Sequence, residues 1–212
     1  MTTAELAAPG LRERKRLATR RAIQVAVLEL LAERGVDGVT VDEISRMADV
    51  SPRTFFNYFA SKEEAMLGDS PELPEQYVID EFLAGHGTVL DDLAIVLRHA
   101  GDRSTTDAEM LQLRHRLLKQ FPQLFAMRMA TMRAFEESVG EIVAARLARD
   151  EPALAADPEA RASKARLVTL VAFAAMRHAW TCWASSEPPS LLTDRLNESF
   201  AELKTLFASD PA

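Results

Sequence analysis

Between Thr40 and Glu64, three helix-start signals follow one another so closely that only short helices fit between them. Thr40-Val41-Asp42-Glu43 has the form of a capping box: a hydroxyl at the cap and a carboxylate three residues on, each able to hold the other's backbone N–H. Ser51 precedes Pro52, and proline suits the first helical position because the N–H it lacks would have no intrahelical partner there. Ser61-Lys62-Glu63-Glu64 repeats the capping-box form. The segment is thus expected to hold a helix from Thr40 to near Ala48, with Val41, Ile44 and Met47 turned inward. A tight turn follows at Asp49-Val50-Ser51, then a helix over Pro52–Phe59 of about two turns, and a further helix from Ser61. Ahead of them, Leu17, Ile23, Ala26, Val27, Leu30 and Leu31 recur near helical spacing over 11–34, and Gly35 ends that helix.

Two short helices joined by a three-residue turn form the skeleton of a helix-turn-helix, whose second helix enters the major groove of DNA. Phe55 and Phe59, four apart, share one face of that helix and are expected in the core with Val50. Arg53, Thr54, Phe56, Asn57 and Tyr58 are left on the other side. Arginine pairs with guanine, asparagine with adenine, and a hydroxyl or ring meets a thymine methyl. Charge distribution agrees. The net charge is −7, yet residues 1–62 hold ten Lys/Arg against eight Asp/Glu. Arg12, Arg14, Lys15, Arg16, Arg20 and Arg21 form a basic cluster beside this segment, the expected mark of a phosphate-facing end on an acidic body.

The run from Gly38 to Ser45, followed by Ala48-Asp49-Val50-Ser51-Pro52-Arg53-Thr54-Phe55-Phe56-Asn57-Tyr58-Phe59-Ala60-Ser61-Lys62-Glu63-Glu64, resembles the tetracycline-repressor (TetR) family over roughly residues 12–67. The resemblance implies an all-α fold of about nine to ten helices. Residues 1–10 are a flexible arm, 11–67 an N-terminal helix-turn-helix DNA-binding domain, and 68–212 a larger helical domain for ligand binding and dimerisation. It implies phosphate contacts from Thr40, Tyr58 and Lys62, with Arg46 as a further candidate, and groove contacts from Arg53, Thr54, Phe56 and Asn57. Asp49 departs from the glycine that the family often has in the turn, and aspartate tolerates the left-handed conformation better than most residues.

Beyond Gly68 the prolines punctuate helices expected near 76–84, 88–100, 105–120, 122–149, 158–186 and 189–208, with 150–160 as an exposed loop. The stretch 121–135 is rich in Phe and Met, a soft lining suited to apolar ligands. Phe125, Met129, Met132, Phe173, Arg177 and Trp180 are the candidate ligand contacts. Arg128, Arg133 and Arg177 are the cations among apolar neighbours that an acidic ligand group would meet. The resemblance implies homodimerisation through the helices near 158–186 and 189–208.

The expected partners are therefore an operator duplex, a second copy and a small hydrophobic effector, with no cofactor, metal or membrane. His86, His99, His115 and His178 match no metal-ligand spacing. The longest apolar run, Leu167–Met176, is too short for a bilayer, which needs roughly 20 residues. A lone Cys182 and the absence of a signal-peptide pattern in Met1–Gly10 point to a cytoplasmic protein. The expected function is a ligand-responsive homodimeric repressor that is not an enzyme. The alternatives are an all-helical enzyme, for which no catalytic constellation is visible, or a protein-binding adaptor without DNA affinity.

Overall fold

The computed structural model describes residues 10–102, 108–184 and 191–207, and these contain helices and connections but no strand. Eleven helices occur in the described residues, more than the nine to ten expected. Most of the expected arm, and the expected helix ends at 105–107, 185–186, 189–190 and 208, lie outside the described residues. The chain divides into two compact units. One comprises Met1–Asp69 and Leu113–Phe125, the other Ser70–Gln112 and Ala126–Ala212.

The first unit begins with α1 (Leu11–Arg34), which buries Ile23, Ala26, Val27, Leu30 and Leu31. Leu17, expected on that stripe, is 47% exposed, so the burying face begins only in the helix's second half. Gly35 closes α1 with φ 70° and an N–H to the Leu31 carbonyl at 3.0 Å. Helix α2 (Val41–Met47) carries the complete capping box: Thr40 Oγ1 accepts the Glu43 N–H, and Glu43 accepts the Thr40 N–H, both at 3.3 Å. Ile44 is fully buried, whereas Met47 is 46% exposed and does not turn inward as expected. Asp49 takes the turn at φ 53°, the left-handed conformation that a glycine would enter freely.

Helix α3 (Pro52–Phe56) starts as expected, with Ser51 Oγ accepting the Thr54 N–H at 3.0 Å. Its helical span stops at Phe56 instead of Phe59. In α4 (Lys62–Leu67) Ser61 caps the Glu64 N–H at 3.1 Å, but Glu64 returns to the N–H of Ala60 instead of Ser61, so the second box is displaced by one residue.

The return of Leu113–Phe125 to this unit is held by Arg114, which is buried and donates from Nε to the Met66 carbonyl at 3.2 Å, near the open end of α4. Gly68 follows at φ 76°, and any Cβ there would stand 2.6 Å from the Arg114 guanidinium. Glycine is required both for the turn and for that approach.

The second unit contains α5 (Gln76–Ala84), α6 (Val89–Asp102), the start of α7 (Ala108–Gln120), most of α8 (Pro122–Asp150), α9 (Pro152–Ala156), α10 (Pro158–Ala184) and α11 (Leu192–Phe207). Helix α9 replaces part of the expected 150–160 loop. Pro152 sits at its first position and helix-favouring alanines follow. The core joins Leu97 of α6, Phe135, Val139 and Val143 of α8, Met176 and Trp183 of α10, and Phe200 of α11. Phe135 and Phe173 have ring centroids 5.6 Å apart. His178 of α10 meets Ser199 of α11 at 2.9 Å. No helix among the described residues is long and apolar enough to cross a membrane.

Arg146 of α8 is the largest buried polar group of this unit, 1% exposed. It bridges Asp92 at 3.0 Å and Asp150 at 2.5 Å, and donates to the carbonyls of Phe82 and Gly87. Burial works against its charge, but the bonds to Asp150 and Asp92 outweigh it and raise its pKa. The same arginine, with Arg149, holds the Asp150 carboxyl below its ordinary range.

Candidate nucleic-acid interface

Helix α3 sorts its side chains by local geometry. Phe55 is 0% exposed and Phe59, three residues past the helix end, is 1% exposed; their rings lie 5.9 Å apart. Phe56 stands 56% exposed with its ring edge-on to Phe55, centroids 5.4 Å apart. Arg53 and Asn57 are exposed, and Thr54 is half-buried with its hydroxyl 2.8 Å from that of Ser51. One short helix therefore presents a guanidinium, a carboxamide and a flat ring to solvent, over an aromatic anchor.

The flanking candidates are engaged within the unit. Thr40 is exposed, and its hydroxyl donates to Glu43 Oε2 at 2.9 Å. That bond, with Arg34 beside it at 2.5 Å, holds the Glu43 carboxyl below its ordinary value. Lys62 is half-buried, and its ammonium donates to the carbonyls of Val36 and Val39, both at 2.9 Å. Two of its three donors thus brace the loop that leads into Thr40. Arg46 is exposed on α2. Tyr58 is half-buried, its N–H bonded to the Phe55 carbonyl at 2.9 Å.

Arg20 is the residue that sequence reasoning missed. It reads as one more cation of the basic cluster. In the structure its Nη1 donates to the Tyr58 carbonyl at 2.9 Å, its guanidinium lies 4.2 Å over the Phe59 ring, and it pairs with Asp69. It ties α1 to the chain just beyond α3. No signal within α1 reveals this, because all three partners are distant in sequence. Arg16 pairs with Glu13 at 2.9 Å, within α1.

Of the candidate ligand contacts, Met132 and Trp180 border a cavity in the second unit. Phe173 is buried against Phe135 but lies outside that wall, as do Phe125, Met129 and Arg177, which are exposed. Phe125 belongs to the first unit. Arg128, one of the cations singled out by its apolar neighbours, is in the wall.

Residues 23–66 match the family described as bacterial regulatory proteins, tetR family, and residues 88–208 match the MftR C-terminal domain family. The chain is 31% identical over 154 residues to the HTH-type transcriptional regulator TcmR of Streptomyces glaucescens. That alignment takes in 65% of this chain and 64% of TcmR, so the chain spans less than two thirds of that relative. Among solved structures, NalD, the secondary repressor of the MexAB-OprM multidrug efflux pump in Pseudomonas aeruginosa, superposes with a TM-score of 0.57 at 18% identity, covering 91% of this chain and 96% of NalD. FadR of Bacillus subtilis, in complex with stearoyl-CoA, gives a TM-score of 0.51 at 18% identity, over 86% of this chain and 96% of FadR. At these identities the structures share the fold.

Proposed function

Because the chain belongs to the tetR family of bacterial regulatory proteins, we propose that it is a cytoplasmic, homodimeric repressor that binds a palindromic operator and is released by a small apolar effector. Residues 11–67 read DNA, and 68–212 bind the effector and the second copy. The observation that carries the reading is the division on and around α3: Phe55 and Phe59 buried, Arg53, Phe56 and Asn57 outward.

Arg53, Thr54, Phe56 and Asn57 contact base edges, while Thr40, Arg46, Tyr58 and Lys62 position the protein on phosphates. Two copies place their α3 helices in successive major grooves, about 34–36 Å apart. The second copy docks on α10 and α11, where Leu167 is 63% and Leu170 44% exposed on one face of α10. The effector binds the DNA-free arrangement better and so lowers operator affinity, as linkage requires. The protein acts by binding, without catalysis.

Gel-shift titration on the DNA flanking its own gene tests this reading. Arg53→Ala should lose about 1–3 kcal/mol on the preferred sequence and relax discrimination at one position. Lys62→Ala should weaken all sequences alike. Identical titrations for both variants and the wild type would remove the assignment.

A further inference from the structure

The cavity of the second unit is bordered by α6, α8, α10 and α11 and measures about 40 Å³. Most of its wall is apolar, with Leu97, Met132, Phe135 and Met176 contributing. Among the described residues that form the wall, Arg128 is the one charged residue, and Trp180 is the other side chain able to hydrogen-bond. Both carry donors only. A guanidinium has five N–H groups and no acceptor, and an indole has one N–H and no acceptor. The polar end of a ligand held here must therefore supply acceptors, and an anionic end gains the most, because a charge-assisted bond to arginine is roughly twice as strong as a neutral one. A cationic ligand would set like charges together in apolar surroundings, where an unpaired charge is most costly.

We propose that this cavity takes an organic anion: a carboxylate or similar acidic head at Arg128, on a flat apolar body beside Trp180 and Phe135. The proposal deepens the reading given under the proposed function and rests on its claim that the second unit takes an effector. Size supplies the second half of the argument. A volume near 40 Å³ holds a few waters at most, whereas sites for drug-sized molecules are of order 300–1,000 Å³. Two of the wall residues are methionines, Met132 and Met176, whose unbranched thioether chains re-pack easily. Their withdrawal opens room for a planar body while Phe135, 4% exposed, stays in the core. Shape selection is then loose, and charge selection at Arg128 is strict.

Three probes of one shape separate these ideas by calorimetry on the full chain: 2-naphthoate, the neutral 2-acetonaphthone and 2-naphthylmethylammonium. Naphthoate should bind about tenfold more tightly than the ketone, and the ammonium should not saturate. Arg128→Gln should abolish the preference for naphthoate and leave the ketone unchanged. Arg128→Lys, which keeps the charge, should retain the preference and serves if the glutamine variant does not fold. Equal binding of anion and cation, a preference that survives Arg128→Gln, or no binding of any probe overturns the proposal. Operator binding is scored separately. Arg128-dependent naphthoate binding by a chain with no DNA affinity would leave the ligand assignment standing and remove the regulator reading. DNA binding unaffected by bound naphthoate would overturn the anion's role as effector.

Discussion

The segment Thr40–Glu64 and the buried arginines of the two units are organised over opposite distances along the chain. In the first, Thr40 bonds Glu43, Ser51 bonds Thr54 and Ser61 bonds Glu64, each three residues apart. In the second, Arg146 reaches the carbonyls of Phe82 and Gly87 across 64 and 59 residues, and Arg114 reaches Met66 across 48. Short-range caps define a helix wherever their residues stand in order, so the polar face of α3 is settled locally once Phe55 and Phe59 are buried. Long-range arginine docks define how helices from distant parts of a unit meet, and they bury charge to do it.

Arg146→Met tests that contrast at its strongest point. Removing one partner of a buried ion pair is expected to cost about 3–5 kcal/mol, because Asp92, Asp150 and two carbonyls lose their donor together. Urea unfolding followed by tryptophan emission measures it, since both tryptophans, Trp180 and Trp183, lie in the second unit. A loss below about 1 kcal/mol would show that the α5–α6 connection holds without the arginine.

The same division decides what was legible in the sequence. The turn at Asp49, the caps at Thr40, Ser51 and Ser61, and the inward Phe55 and Phe59 follow from residues at most four apart. Met47 was misplaced because periodicity in a helix of seven residues leaves its last turn poorly defined. Nothing in α7 announces that Leu113–Phe125 packs with the first unit, because the signal is one buried arginine meeting a glycine 46 residues earlier. The wall of the cavity was legible only in part. Met132 and Trp180 were found through composition, while Leu97 and Leu196 look like any core leucine until the helices pack.

Arg20→Ala sharpens the comparison from the side of the first unit, where one long-range dock supports a locally coded site. The side chain, 23% exposed, holds the Tyr58 carbonyl and covers the Phe59 ring. Its loss should cost about 2 kcal/mol of stability from one charge-assisted bond and one cation–π contact. DNA affinity should fall with it, as the chain beyond α3 loses its tether, while the salt dependence of binding stays as in the wild type. A phosphate contact would instead lower the salt slope by about 1. A slope lowered that much would return Arg20 to the phosphate-facing cluster that the sequence suggests.

The smallest effect concerns His115, on the part of α7 that packs with the first unit. Burial, and then the charge of Lys119, push its imidazole below the ordinary value of 6.5. The unfolded chain takes up a proton near 6.5 that the folded unit resists, so this group's contribution is complete above that pH and declines as pH falls from there toward the folded value. Glu43, Asp91 and Asp150 are shifted the same way, but from 4.5, 3.8 and 3.8, so their contributions are lost only in a more acidic window. Between pH of about 7.5 and 5.5, the first unit should therefore lose amide protection in α1 and α4, and His115→Gln should flatten that dependence. Hydrogen exchange reads it, with tryptophan emission as a record of the second unit in the same samples. An unchanged pH profile in the variant would show that the helix carrying Arg114 is held on the first unit without regard to the charge of its own histidine.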